Sequence, residues 1–449
     1  MASSPGCTFL DDIVQAQQRG LARGLTSICS AHRQVLAAAM VHTHRAGLPL
    51  LIESTCNQVN QFGGYTGLTP VGFIAFLREI AAREGLELGR LLVGGDHLGP
   101  GPWQGEAAAA AMDKACQLVR ECVLAGYTKL HLDASMRLGD DPPDRPLDPG
   151  LIARRTAELA QAAEAAAGQL GDGGESLRYV IGSEVPPPGG IQAGHAGVSV
   201  TATADLAETV ELTRRAFEHL GLQKAWERVV AVVVEAGVEY GEQGVFAYER
   251  GQAAGLASWI AGQERLVFEA HSTDYQAPEA LRWMVADHFA ILKVGPALTF
   301  AFREAVFALE NIEAELLVGQ RAGERCGLRQ ALEEAMLRNP AYWEKYTRGD
   351  EEQRRLARLY GLSDRARYYW PDPGVQAALG RLMRNLAGVE IPIGLVSQYL
   401  PGQALRVLSG ELDAAPQAMI ADKIEAVLAG YAYACGEPEG STNYTNYEI

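Results

Sequence analysis

Eight short apolar runs, each followed by a longer stretch of helical periodicity, recur up to residue 294, and this alternation constrains the fold more than any other feature of the chain. The runs fall at 25–30, 50–54, 91–94, 130–133, 179–184, 229–234, 266–271 and 291–294. Val229-Val230-Ala231-Val232-Val233-Val234 is almost uninterrupted β-branched material, the pattern of a parallel strand buried on both faces. Amphipathic segments at 31–45, 69–83, 106–125, 149–167 and 203–220 separate the runs. Strand–helix alternation repeated eight times predicts a closed (β/α)8 TIM barrel. Thr69-Pro70 and Asp148-Pro149 each place a capping oxygen before a proline suited to the first helical turn, and Gly126 is placed to end a helix.

Beyond about residue 309 the alternation stops. Segments 310–337, 351–360, 375–386 and 416–433 read as helices with no parallel strand between them. The expected organisation is a barrel over 1–309, a C-terminal helical appendage over 310–435 packed on it, and a polar, mobile tail over 436–449.

With 39 Lys and Arg against 55 Asp and Glu, the net charge is −16, which opposes binding to nucleic acid or an anionic membrane surface. A single phosphate group needs only a local cluster of donors, for which the amides around Gly295 and the Arg303 side chain are candidates. The first ten residues carry no basic and apolar leader pattern, no apolar run approaches the ~20 residues of a membrane span, and the seven cysteines form no C-x-x-C pair. A cytoplasmic protein is expected. No Walker loop or dinucleotide-binding glycine motif stands in a suitable context.

In a parallel barrel the active site forms where the strands end. Those positions are unusually polar here: Glu53 to Gln58, Asp96-His97, His131-Leu132-Asp133, Ser183-Glu184, Glu235 and Glu239, Glu269-Ala270-His271, and Lys293. Strand parity puts Lys129, His131 and Asp133 on one face, and Glu269 and His271 on another shared face. Gly94-Gly95 is expected to let the backbone turn before Asp96-His97. The metal ligands expected from this pattern are His97, His271, Glu184 and Glu239, holding a divalent ion such as Zn, Mn, Co or Ni. Asp96, Asp133 and Glu184 are the candidates for proton transfer. Glu53, Asn57, Gln58, Asp274 and Lys293 are the candidates for substrate contact. His131 reads as a histidine packing the lumen or bonded behind the ligands, and His195 as a surface loop residue. Lys293 has a rival reading as a Schiff-base lysine, which would leave His97 and His271 without a role. The loops at 57–67 and 185–200 are long and rich in amides or glycine, as suits a polyhydroxylated ligand.

Several long motifs carry a resemblance: Glu53-Ser54-Thr55 through Gln61, Gly63-Gly64-Tyr65-Thr66-Gly67, Gly94-Gly95-Asp96-His97-Leu98-Gly99-Pro100, Glu269 through Gln276, Leu292 through Ala297, Tyr368-Tyr369-Trp370-Pro371-Asp372 and Ser397-Gln398-Tyr399-Leu400-Pro401. In these the chain resembles the Z-type subunit family of D-tagatose-1,6-bisphosphate aldolase (GatZ/KbaZ-like). The resemblance implies either a subunit that supports a separate class II aldolase or a ketohexose 4-epimerase. The Asp96-His97 pair is similar to the Asp-His of class II aldolases. The expected function is metal-dependent C4 epimerisation of fructose and tagatose or their phosphates, by retro-aldol and aldol steps. The alternative is a catalytic or non-catalytic aldolase subunit. The expected partners are a small ketohexose or its phosphate, a class II aldolase subunit, or further copies of this chain.

Overall fold

The computed structural model describes residues 5–171, 174–182, 198–242, 244–317 and 324–437. Eight parallel strands close a barrel: β1 (Leu25–Ile28), β2 (Leu50–Thr55), β3 (Leu91–Leu98), β4 (Lys129–Leu132), β5 (Arg178–Ile181), β6 (Val229–Val233), β7 (Val267–Ala270) and β8 (Phe289–Val294). They stand in chain order, with β8 pairing back onto β1 from Leu25↔Ile291 to Ile28↔Val294. A two-residue ribbon, Glu239–Tyr240 against Val245–Phe246, follows β6 outside the barrel. No described helix is long and apolar enough to cross a membrane.

The first helix, α1 (Pro5–Gln18), is a plug. Its Leu10, Ile13 and Val14 join Leu25, Leu51, Leu92, Val180, Val267 and Ile291 in one apolar cluster at the N-terminal end of the barrel. Asp11 of α1 receives two hydrogen bonds, of 2.6 and 2.7 Å, from Arg178 at the start of β5. The outer helices begin with α2 (Arg33–Ala46), α3 (Pro70–Glu84), α4 (Ala108–Ala125) and α5 (Pro149–Leu170). The expected caps form: Thr69 accepts from the Gly72 amide, Asp148 from the Gly150 amide, and Gly126 ends α4 in the left-handed conformation.

The region after the barrel is helical, as expected, but it is built into the barrel wall. Helix Pro296–Leu316, which follows β8, runs unbroken through the expected boundary at 309. The last long helix, Pro416–Cys435, packs against Pro296–Leu316, against Pro278–Ala286 and against α2. Its Tyr431 hydroxyl donates to the Thr273 carbonyl at the barrel mouth, and the Gly24 amide donates to the Cys435 carbonyl. Residues 438–449 lie outside the described part.

The expected turn at Gly94-Gly95 does not occur. Strand β3 continues through both glycines to Leu98, and the irregularity comes later, where its register with β4 shifts between Gly95 and Leu98. His97 sits there at φ +48°, a left-handed conformation unusual for a residue with a side chain. The glycines make room instead of turning the chain. A methyl group at Gly95 would lie 2.3 Å from a Leu98 carbon.

Candidate metal centre and active site

Alternate residues of one strand share a face, and along the barrel strands the lumen-facing series changes character part-way up. Leu51 gives way to Glu53, Leu92 to Gly94 and Asp96, Val267 to Glu269 and His271, and Ile291 to Lys293. In the register, Glu53 stands opposite Gly94, and Gly94 opposite Lys129. A methyl group on Gly94 would lie 3.0 Å from Cγ of Glu53 and 3.1 Å from the Lys129 carbonyl. Its absence lets Lys129 reach past β3 to both oxygens of Glu53 at 2.7 Å. Ser27 donates to Glu53 at 2.6 Å, and Lys129 also pairs with Glu269. Lys293 pairs with Asp96 and, at 2.9 Å, with Glu269.

Three imidazoles converge at this charged layer. The ring centroids of His97, His131 and His271 are 4.8 to 5.0 Å apart. One donor atom from each, with one oxygen of Asp96, lies within 4.8 Å of the others, and all four residues are buried. Carboxylates fix two of the rings from behind. Asp133 holds Nδ1 of His97 at 2.8 Å and is itself fixed by the amide and hydroxyl of Ser135 at 3.0 and 2.6 Å. Glu269 holds Nε2 of His271 at 3.0 Å. Nδ1 of His131 lies 3.2 Å from both the His97 amide nitrogen and an oxygen of Asp96, while its Nε2 is buried without a partner. The His97 amide donates to Nδ1, which puts the ring proton on Nε2. An Nε2 lone pair free for a metal would need the other tautomer, with Nδ1 donating to Asp96 and the His97 amide released from it.

The donor set of the cluster suits a cation. Four carboxylates, of Glu53, Asp96, Asp133 and Glu269, meet the ammonium groups of Lys129 and Lys293, and none of these side chains is more than 5% exposed. With the histidines neutral and all four carboxylates ionised, two negative charges would remain. Burial raises Glu53, and burial would lower His97 but Asp96 and Asp133 raise it, so protons on these two groups close the same gap. A divalent ion among His97, His131 and His271 would close it as well. Imidazole and carboxylate donors suit an ion of the zinc or manganese kind.

Protonation follows from the same packing. Burial raises the Asp96 carboxyl, but His97 and Lys293 hold it well below the usual carboxylate range. Burial also raises Glu269, against which Lys129 and Lys293 hold it ionised. Burial would lower His97, but Asp96 and Asp133 raise it above the ordinary imidazole value. Burial and the nearby Lys293 push His271 down to about 3. Burial alone would make Lys293 a neutral amine, but Asp96 and Glu269 raise it well above the ordinary lysine value. A tightly paired ammonium is the opposite of the free amine that Schiff-base chemistry needs.

The structure thus brings together Asp96, His97 and His271 from the expected set, with Asp133 behind His97. His131, expected behind the ligands, stands among them. Glu239 stands apart from the group. Its carboxylate accepts from the Tyr240 amide at 2.9 Å and bonds Ser272, and burial raises it to about 7. Glu184, Ser183 and His195 lie outside the described residues.

Above the cluster opens a cleft of about 640 Å³, onto which Asn57, Gln58, Asp274 and Lys293 face. Glu53 is sealed beneath it, fully buried, and is tied to Ser27 and Lys129 instead of facing a substrate. The Gly295 amide and Arg303, expected as anion donors, are both engaged. One oxygen of Asp274 takes the amides of Gly295 and Ala297 at 3.1 and 2.8 Å, and buried Arg303 pairs with Asp364 at 3.1 Å. Sequence reasoning missed Arg367 and Tyr368, which line the cleft from the short helix Arg365–Tyr369. Tyr368 opens a motif that was visible, but nothing in it points to a barrel mouth, and Arg367 lies just before it. Tyr65, from the loop after β2, packs on the Tyr368 ring at 4.7 Å between centroids.

Residues 10–436 match the family described as D-tagatose-1,6-bisphosphate aldolase subunit GatZ/KbaZ-like. The chain belongs to that family. It is 46% identical over 426 residues to the D-tagatose-1,6-bisphosphate aldolase subunit GatZ of Klebsiella pneumoniae, covering 95% of this chain and 99% of the relative. It is also similar to a crystal structure described as a probable tagatose 6 phosphate kinase from Sinorhizobium meliloti 1021, at 45% identity, TM-score 0.83, and coverage of 92% of this chain and 100% of that one. These two relatives carry different activities in their names. The family supports the aldolase-subunit reading of the sequence over the epimerase reading placed ahead of it.

Proposed function

We propose that this chain catalyses metal-assisted aldol cleavage and formation on a phosphorylated ketohexose, as an aldolase subunit that carries its own reacting site. The observation that supports it is the convergence of His97, His131, His271 and Asp96 at the barrel mouth, all four buried. A subunit whose only task is to support a partner has no need of such a centre.

His97, His131 and His271 would hold a divalent ion, and that ion would supply Lewis-acid stabilisation of the negative charge that develops when the C3–C4 bond breaks. Asp96 is the base. His97 and Lys293 keep it ionised, so it can take the C4 hydroxyl proton as the C4 aldehyde forms. Lys293, already bonded to Asp96, steadies that carboxylate and lends its charge to the sugar oxygens. Asp133 keeps Nδ1 of His97 occupied, which turns Nε2 toward the reacting centre. Asn57 and Gln58 on the cleft wall offer amides to hydroxyl groups.

C4 epimerisation is the second reading of the same steps. It requires the aldehyde half to stay bound, turn over and be re-added. Tyr65, Tyr240 and Tyr368, from three separate segments, line the cleft and could hold that half by contact with its hydroxyl groups. The deciding experiment incubates the purified chain with tagatose 1,6-bisphosphate and with fructose 6-phosphate, with and without chelator, following triose and epimer. Triose release that chelator and His97→Ala abolish supports aldolase action. Epimer without triose supports the second reading. No turnover of either substrate with metal present, while the chain prolongs the life of a partner aldolase, overturns both.

A further inference from the structure

A second cleft, of about 770 Å³, adjoins the first at the mouth of β1 and shares Gln58, Tyr65, Gly295 and Arg367 with it. Its lining includes Arg33 and Arg367 and no aspartate or glutamate. The chain as a whole has 55 acidic residues against 39 basic, and the first cleft carries Asp96 and Asp274. The described lining is thus locally richer in basic groups than the chain as a whole, although Arg33 is offset by Glu79, which leaves Arg367 as its principal positive charge.

Arg367 is the centre of that lining. Its Nη1 donates to the carbonyls of Ser363 and Asp364, and its Nη2 to the Tyr368 hydroxyl at 2.9 Å. A guanidinium carries five N–H groups, so the Nε–H and one Nη2–H have no partner among the described residues. No carboxylate there lies within ion-pair distance of it, whereas Arg33 is partly spent on Glu79 at 2.9 Å. The side chain is thus anchored on one edge and open on the other, the arrangement that binds an oxyanion in two places.

The cleft floor adds donors. Helix α2 starts here with His32 as its N-cap, and no side chain caps the first-turn amides of Arg33 and Gln34. The His32 ring packs on Phe302 at 4.2 Å with a buried Nδ1 that meets no partner. By contrast, the amides at Gly295 and Ala297, where an anion site was expected, are filled by Asp274.

We propose that this second cleft is the phosphate subsite, in which Arg367 and the start of α2 hold a phosphate monoester of the ketohexose while its reacting carbons lie against Asp96 and His97. The orientation of the sugar rests on the aldol reading above; the anion site itself does not.

The test measures inorganic phosphate binding to the full chain by calorimetry at fixed ionic strength, with sulfate and chloride as comparison anions. Wild type and His97→Ala, which removes a candidate metal ligand and silences turnover, are expected to bind phosphate alike. Arg367→Gln is expected to weaken binding about tenfold or more, the loss of a two-point charged contact. Because Arg367 also braces Ser363 and Asp364, a second variant is needed. Gln34 is exposed and makes no side-chain hydrogen bond that must be broken. Gln34→Glu puts a carboxylate in the first turn of α2, which favours the helix but repels an anion. It is expected to raise the melting temperature slightly and to weaken phosphate several-fold. Phosphate binding unchanged in Gln34→Glu and Arg367→Gln, or lost in His97→Ala, overturns the subsite. Absence of turnover with phosphate binding intact overturns the aldol reading alone.

Discussion

The two halves of the barrel lumen are lined by the same eight strands and could hardly differ more. At the closed end, Leu51, Leu92, Val180, Val267 and Ile291 pack against Leu10, Ile13 and Val14 of α1. Two residues further along the same strands stand Glu53, Glu269 and Lys293, and four beyond Leu92 stands Asp96, joined to one another and to Lys129 in one ionic network. The lower half is held by volume, and any well-shaped apolar filling serves it. The upper half is held by pairing, and removing one partner strands another in a dry place. Stability alone would have continued the apolar layers to the mouth. That the chain does not is the strongest sign that the upper half is kept for chemistry.

The contrast can be broken most forcefully at Lys129. Lys129→Met keeps the bulk but removes the nearer of the two cations shared by Glu53 and Glu269, leaving them only Lys293 at 3.8 and 2.9 Å. A loss of about 3–5 kcal/mol in urea unfolding is expected. In the lower half, Leu51→Ala creates a cavity and is expected to cost about 2–4 kcal/mol, with turnover per folded molecule preserved. If Lys129→Met instead unfolds like wild type, the ionic layer is not what holds the mouth.

A smaller effect sharpens the comparison at the rim. Burial raises the Asp274 carboxyl to about 6, above its ordinary value near 4. The folded chain therefore holds this proton more tightly than the unfolded one. Its contribution to stability is complete below about pH 4 and is lost as pH rises through 6, by about 1–3 kcal/mol. Both amide bonds go to a single oxygen, so Asp274→Asn can keep them while removing the titration. Urea midpoints of that variant should be flatter between pH 4 and 6.5 than those of wild type. An unchanged slope would assign the pH dependence to other groups.

The barrel was legible because strands such as β6 are nearly continuous β-branched runs and because Thr69, Asp148 and Gly126 mark helix ends by local chemistry. Parity carried part of the site: placing His131 on the face of Lys129 and Asp133 already put it in the lumen. Its place beside His97 depends on the irregularity after Gly95, which no periodicity reveals. Glu239 ends its run at a strand-like position, yet it belongs to a ribbon beyond β6 and bonds locally. Arg367 was invisible for another reason. It reaches the mouth through tertiary packing of the C-terminal helices, and sequence spacing carries no such information.

The central claim is that His97, His131 and His271 form one metal centre, with Asp96 beside it as the base. It is tested most directly by the metal content of the purified, dialysed chain, read by elemental mass spectrometry in wild type and His131→Ala. The account predicts about one divalent ion per wild-type chain and a fall of about tenfold or more in the variant. Undiminished metal in His131→Ala, or active wild-type chain that retains none, would contradict it.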